Sequence, residues 1–234
     1  MPPEVMMITG TRKGIGRYLV DHYLARGYVV AGCSRDPFDG PLPENYHHYI
    51  ADVADEKAMI TMIRDIKRKL GGISVLINNA GIASMNHLVL TPMSTVQRIF
   101  STNVFGSFIA MREVAKIMMP AKYGRIVNFA TVATPLNLEG EAVYAASKAA
   151  VESFTRVAAR ELAPFNITVN AVGPTPVMTD LIRTVPKHKM DALIGTQAIK
   201  RLGEHRDIAN AIDFLIARES DFITGQTIFL GGIS

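Results

Sequence analysis

Short blocks of apolar, often β-branched residues alternate along the chain with longer stretches in which apolar positions recur every three or four residues. The first pattern predicts buried strands, the second helices packed by one face. Strands are expected over 5–9, 28–34, 47–53, 74–78, 125–130, 166–172 and 226–230. Helical stretches are expected over 14–25, 55–70, a long segment ending near Met119 and Pro120, 143–162 and 207–217. The punctuation agrees. Gly27 stands where a C-terminal cap belongs, Asp55 can cap the second helix, and Gly71 with Gly72 stops it. Strands that are apolar throughout and separated by helices predict a doubly wound α/β fold, a parallel seven-stranded sheet with helices on both faces. No linker, repeat or low-complexity tract interrupts the series, so residues 1–234 read as a single domain.

Composition adds limits. Of 234 residues, 48% are hydrophobic and 20% charged, which suits a sizeable core. The apolar runs are strand-sized, so no membrane span is expected. The first residues carry neither a basic stretch nor a cleavable apolar segment, and the lone Cys33 cannot close an internal disulfide. The expectation is therefore no signal peptide and a reducing, cytoplasmic setting. The net charge of +4 is spread along the chain, and its densest cluster, Lys67-Arg68-Lys69, falls at a helix end where cations suit the dipole. No basic face is interleaved with aromatics, which argues against nucleic acid as a partner. His47 and His48 lack a third ligand, so no metal site is expected.

Four stretches carry candidate chemistry. Thr9-Gly10-Thr11-Arg12-Lys13-Gly14-Ile15-Gly16 lies between the first strand and the first helix, where glycines let a phosphate approach a helix N-terminus. Asn78-Asn79-Ala80-Gly81 follows a second strand; its amides can serve the turn or a ligand beside it. Asn103 interrupts an apolar helix and needs a partner there, a local kink being the plain structural reading. Tyr144 and Lys148 stand four apart on an Ala-rich helix, so their polar tips share a face. Taken alone, that pair reads most simply as a half-buried aromatic beside a surface charge.

Together with Asp52-Val53 and Val169-Asn170-Ala171-Val172-x-Pro174, these motifs stand in the order of a known family. The chain resembles the short-chain dehydrogenases/reductases over essentially its whole length, nearest in flavour to 3-oxoacyl carrier-protein reductases. The resemblance implies a Rossmann-type fold and a nicotinamide cofactor. It implies that Tyr144 is the general acid, that Lys148 lowers its pKa and holds the ribose hydroxyls, and that Asn103 completes a proton relay through water. It places the dinucleotide on Gly10, Arg12, Lys13, Gly14, Ile15, Gly16, Ser34, Arg35, Asp52, Val53, Asn79, Ala80, Gly81, Tyr144, Lys148, Pro174, Val177 and Thr179.

The chain departs from the family pattern at several points. Thr131 stands where a Ser usually precedes the Tyr; it keeps the hydroxyl, stiffens χ1, and is expected to do the Ser's work. Thr175 replaces the Gly after Pro174, Asn166 replaces a Gly before strand six, and Leu230-Gly231-Gly232 lacks the usual preceding Asp. At the end of strand two, Ser34 and Arg35 occupy the place of the acidic residue of NAD-preferring relatives, and Lys13 adds a cation. Cations without a carboxylate suit a 2′-phosphate, so NADP(H) is expected, with Asp36 past the contact.

The segment 179–201 is expected to cover the substrate site. Its Leu181, Ile182, Val185, Met190, Leu193 and Ile194 can roof a pocket; its Arg183, Lys187, His188 and Lys189 can form a solvated face or meet an anionic substrate tail. Lys122 suits an acidic carrier, whereas Phe165 replaces a basic residue common in carrier-protein reductases. The substrate is thus a carbonyl compound, carrier-bound or free. The competing class is a non-catalytic dinucleotide-binding homologue disabled at Thr131 and Thr175. Finally, the long helix (Phe100, Val104, Phe105, Phe108, Ile109, Met111, Val114, Ile117) and the Tyr144 helix (Val151, Phe154, Val157, Ala158) are apolar beyond one stripe. The resemblance implies that a second copy covers the extra face, so a homo-oligomer is expected, a tetramer first and a dimer second.

Overall fold

The computed structural model describes residues 4–178 and 187–233. Seven strands, β1 (Val5–Thr9), β2 (Val29–Ser34), β3 (Tyr46–Ile50), β4 (Val75–Asn78), β5 (Gly124–Phe129), β6 (Ile167–Gly173) and β7 (Thr227–Phe229), form one sheet. Their order is β3-β2-β1-β4-β5-β6-β7, and every pairing is parallel. Order reverses between β1 and β4, so a crevice opens there at the carboxyl ends of the strands.

Both sheet faces are buried, as the unbroken apolar strands require. On one face lie α2 (Glu56–Leu70), α4 (Gly106–Ala121) and α6 (Ala142–Leu162), whose Met59, Ile63, Ile66, Val114 and Met118 meet Leu76 and Ile126. On the other, α1 (Gly14–Leu24) and α8 (His205–Ile216) bring Leu19, Val20, Tyr23, Ile208 and Ile212 onto Met6, Ile8 and Ile77. Asp55 accepts the Ala58 N–H at 3.0 Å and so caps α2, which ends at Gly71. Lys69 pairs with Asp65 at 2.7 Å in the last turn, the solvated end expected of the basic cluster.

The structure differs from the sequence reading in several elements. Strand β3 ends at Ile50 instead of running to 53, because the Asp52 carboxylate accepts the Ala54 N–H at 2.9 Å and turns the chain toward α2. The long segment after Gly81 comprises a 3-10 turn, α3 (Met93–Phe100), a π-turn (Ser101–Phe105) and then α4. Two helices lacked a clear periodic signal, α5 (Ala133–Leu136) and α7 (Lys187–Thr196). Asn166 takes a left-handed φ of 56°, as its place before β6 demanded, whereas Thr175 is not among the residues of positive φ. Among the described residues no helix is long and apolar enough to cross a membrane.

Candidate active site

The glycine loop is pinned from β4. Asn79 Nδ2 donates to the carbonyls of Thr9 at 2.9 Å and Gly10 at 3.0 Å, and the Ala80 N–H donates to Thr9 Oγ1 at 3.0 Å. At Gly16 a methyl group would stand 2.0 Å from the Gly10 carbonyl oxygen, so only glycine lets the loop close over the start of α1. Asn78 points the other way, into the protein. Its Nδ2 donates to Asn128 Oδ1 at 2.8 Å, Asn128 Nδ2 donates to Thr155 Oγ1 at 2.9 Å, and Thr155 donates to the Val151 carbonyl at 2.8 Å. This buried chain ties β4 and β5 to α6, the helix that carries Tyr144.

A cavity of about 860 Å³ follows the strand ends. Its wall gathers Gly10, Arg12, Lys13, Gly14, Ile15 and Gly16 from the loop, Ser34 and Arg35 from the end of β2 and just after it, Asp52 and Val53 after β3, and Asn79, Ala80 and Gly81 after β4. A second cavity of about 500 Å³ holds Thr131, Tyr144, Lys148, Pro174 and Val177. Ile15, Asn79, Gly81 and Ile82 line both, so the two spaces meet at that point. Thr179 lies outside the described residues, as do 180–186 of the expected cover; Leu193 of α7 lines the second cavity.

Within the second cavity, Thr131 Oγ1 accepts the Ala133 N–H at 3.2 Å. That bond leaves the hydroxyl proton uncommitted, and the hydroxyl acts on the Tyr144 phenol to lower its pKa. Lys148 is buried, and its Nζ donates to the Phe129 carbonyl at 2.8 Å. The phenol differs from the sequence reading: its pKa is pushed up to about 12, burial outweighing the Thr131 hydrogen bond and Glu141 adding to the rise. Burial pushes Lys148 down to about 8, with the Glu152 carboxylate opposing. One donor of the ammonium is thus spent on a carbonyl of β5, and the pair is a half-buried phenol beside a buried cation, where spacing alone suggested a surface charge.

Asn103 sits in the π-turn, fully buried. Its Nδ2 donates to the Ile82 carbonyl at 2.9 Å and to Ser147 Oγ at 3.0 Å, while its Oδ1 accepts the Ile82 N–H at 2.9 Å. The side chain therefore clamps the loop after Gly81 to α6, and any part it takes in a relay is left to its surroundings.

Other residues escaped the sequence reading. Asp36 lines the larger cavity and pairs with Arg12 at 3.5 Å. Glu141 lines the second cavity one turn before Tyr144; burial raises its pKa and Lys189 opposes the rise. Its three-residue offset from Tyr144 was the available signal. His48 packs behind Ser34, with Ser34 Oγ 3.0 Å from its Nε2. Among the described residues no cluster could hold a metal ion.

A glycine-cradled cleft at a topological switch point, opening onto a Thr-Tyr-Lys group, defines a dinucleotide-linked oxidoreductase. A family model described as enoyl-(acyl carrier protein) reductase matches residues 10–232, and the chain belongs to the short-chain dehydrogenase/reductase family. It is 33% identical over 235 residues to the 3-oxoacyl-[acyl-carrier-protein] reductase FabG of Staphylococcus epidermidis, covering 97% of this chain and 96% of the relative. The FabG of Escherichia coli strain K12 is 31% identical over 234 residues, with 98% and 96% covered. Among solved structures, ElxO with NADP bound superposes with a TM-score of 0.89 at 30% identity, covering 97% of both chains. NAD⁺-bound xylitol dehydrogenase superposes at 0.86 with 28% identity and 98% of both covered.

Proposed function

We propose that the protein is an NADPH-dependent reductase that converts a ketone to a secondary alcohol. The observation that carries this reading is the junction of the two cavities at Ile15, Asn79, Gly81 and Ile82, beside Tyr144 and Lys148. Gly10, Gly14, Ile15 and Gly16 would hold the pyrophosphate, Arg12, Lys13, Ser34 and Arg35 the adenosine ribose and its phosphate, and Asp52 and Val53 the adenine. Asn79, Ala80, Gly81, Lys148, Pro174, Val177 and Thr179 would hold the nicotinamide ribose and ring. When bound, the nicotinamide supplies the hydride.

The chain's own residues supply the rest. Thr131 donates to the substrate carbonyl oxygen and polarises it. Tyr144, kept protonated by burial, delivers its proton to that oxygen as negative charge develops there. Lys148 stabilises the resulting phenolate. Asn103 and Asn79 keep the loops around Gly81 and Gly10 in place. Walls of Met85, Val132, Leu138 and Leu193 exclude water and suit an acyl or other apolar substituent. The relatives named for 3-oxoacyl carrier-protein reduction support a carrier-bound thioester; Phe165 and the acidic Glu141 favour a free ketone as the second reading.

The whole chain acts as one domain, with 179–201 as its cover. Phe105, Phe108 and Val157 expose 55%, 41% and 52% of their surface on adjoining helices, which supports self-association through α4 and α6. NADPH oxidation followed with a 3-oxoacyl thioester and with a panel of free ketones tests the activity. Turnover on at least one, abolished in Tyr144→Phe, is expected. NADPH binding with no turnover on any would favour the non-catalytic alternative.

A further inference from the structure

Among the described residues, the second cavity carries one acidic side chain, Glu141. The other charged residue of its lining, Lys148, is buried, with its Nζ donating to the Phe129 carbonyl at 2.8 Å. Met85, Val132, Leu138 and Leu193 line the same space, and their side chains cannot solvate a carboxylate. Glu141 is held by its backbone at the N-cap of α6. Its N–H donates to the Leu138 carbonyl at 3.2 Å, and its carbonyl accepts the Ala145 N–H at 2.7 Å. Gly140 before it takes a left-handed φ of 83°, and the Gly140 carbonyl accepts the Asn86 N–H at 2.9 Å, which ties this turn to the loop after β4.

The carboxylate does not use its place to cap the helix, for it makes no cap hydrogen bond. Among the described residues no donor meets it, and Lys189 of α7 acts on it through charge alone. Such a group has lost part of its hydration and gained no partner in return, a cost that a bound ligand can offset. Its charge reaches the Tyr144 phenol three residues on, so the two side chains attend the same stretch of cavity. A ketone whose oxygen lies at Thr131 and Tyr144 therefore extends a substituent past Glu141. A neutral donor on that substituent would supply a hydrogen bond; a cation would supply the hydrogen bond and the missing countercharge. A carboxylate would meet like charge.

We propose that Glu141 is a specificity-determining residue, which selects among ketones those that carry a protonated amine within a few bonds of the carbonyl on an otherwise apolar frame. The proposal rests on the reductase reading given above, taken with a free ketone as substrate. The apolar frame matches Met85, Val132, Leu138 and Leu193, and the amine takes the place at the carboxylate that no side chain fills. Burial holds the Glu141 pKa above the usual carboxylate range, with Lys189 opposing, which is the mark of a charge still short of a partner.

The test follows NADPH oxidation with matched methyl ketones that differ at the far end: a dimethylamino group, the isopropyl group of the same shape, a hydroxyl, or a carboxylate. The parent should take the amine with a KM about tenfold below that of the isopropyl compound, with kcat little changed and the carboxylate poorest. Glu141→Gln keeps the size and the hydrogen-bonding capacity but not the charge. In it the advantage of the amine and the handicap of the carboxylate should both disappear. An amine-to-isopropyl ratio of kcat/KM that is equal in the two proteins would overturn the proposal. So would a parent that prefers the hydroxyl or the carboxylate to the amine. Should Glu141→Gln not fold, the parent's ranking of the four compounds decides. If NADPH binds and no ketone turns over, the reductase reading falls, and calorimetry of the same compounds on the NADPH-loaded parent judges Glu141 separately. Equal affinity for the amine and the isopropyl compound would then refute its role.

Discussion

Thr131 shares a cavity wall with Tyr144 and lowers the phenol's pKa, while its hydroxyl oxygen accepts the Ala133 N–H at 3.2 Å. A threonine in this place therefore keeps its single proton available as a donor. Thr131→Ser should keep or raise turnover, since the donor remains and the methyl is gone. Thr131→Val keeps the shape and loses the donor, and kcat should fall about a hundredfold or more. NADPH affinity should hold in both. Steady-state kinetics beside a cofactor titration checks this; a fully active Thr131→Val would mean the hydroxyl is idle.

Lys148 sets a pH limit. Its folded pKa of about 8 lies below the ordinary lysine value, so the ammonium predominates below pH 8 and is lost above it. If the cation supports the phenolate, kcat/KM for reduction should decline with an apparent pKa near 8. Glu152 is the group that raises this pKa, so Glu152→Gln should move the decline to lower pH. A profile flat to pH 10 in the parent would contradict the assignment.

The glycine loop has no room at Gly16, where an added methyl would meet backbone at 2.0 Å, while Gly72 has nothing within 4 Å. Gly16→Ala should abolish dinucleotide binding and cost on the order of 1–3 kcal/mol of stability. Gly72→Ala should leave both unchanged. Cofactor titration and thermal melts distinguish the two.

The Asn78-Asn128-Thr155 chain is buried, and cutting its middle leaves polar groups without partners. Asn128→Leu should destabilise by roughly 1–3 kcal/mol. For a chain of this size that is a drop in Tm of about 2–12 °C. An unchanged melting temperature would show that the network carries no stability.

Phe105 at the end of the π-turn and Phe108 in α4 are large apolar residues left uncovered. Phe105→Glu with Phe108→Glu should convert an assembly to monomer without unfolding it. Light scattering on the parent comes first, and a monomeric parent at micromolar concentration would dismiss the assembly outright.

The strands and their parallel arrangement were readable because a doubly covered sheet demands uninterrupted apolar runs, and few other folds do. The dinucleotide loop was readable because glycine in that place has a steric reason, which the Gly10–Gly16 approach bears out. What escaped depends on partners brought from afar. His48 looks like any half-buried strand residue until β2 and β3 pair and set it against Ser34. The direction of the Lys148 ammonium is likewise invisible in a four-residue spacing, because it is decided by the Phe129 carbonyl on β5. The Arg12–Asp36 pair was hidden too, because nearness in sequence to Ser34 says nothing of how the chain bends there.

The π-turn at Ser101–Phe105 has a consequence for how this helix can change. An α-helix advances about 100° per residue, so the turn's one surplus residue sets α3 and α4 out of phase by roughly that angle. Upstream of it Ile99 faces the core; within it Asn103 faces Ile82; Phe105 at its last position and Phe108 just beyond face outward. Deleting a single residue from this stretch would restore a regular helix and rotate everything after it. Asn103 would leave its loop and the outer phenylalanines would swing toward the sheet. Point substitutions can thus tune either face by itself, whereas a change of length here would strike the inner and outer faces in one step.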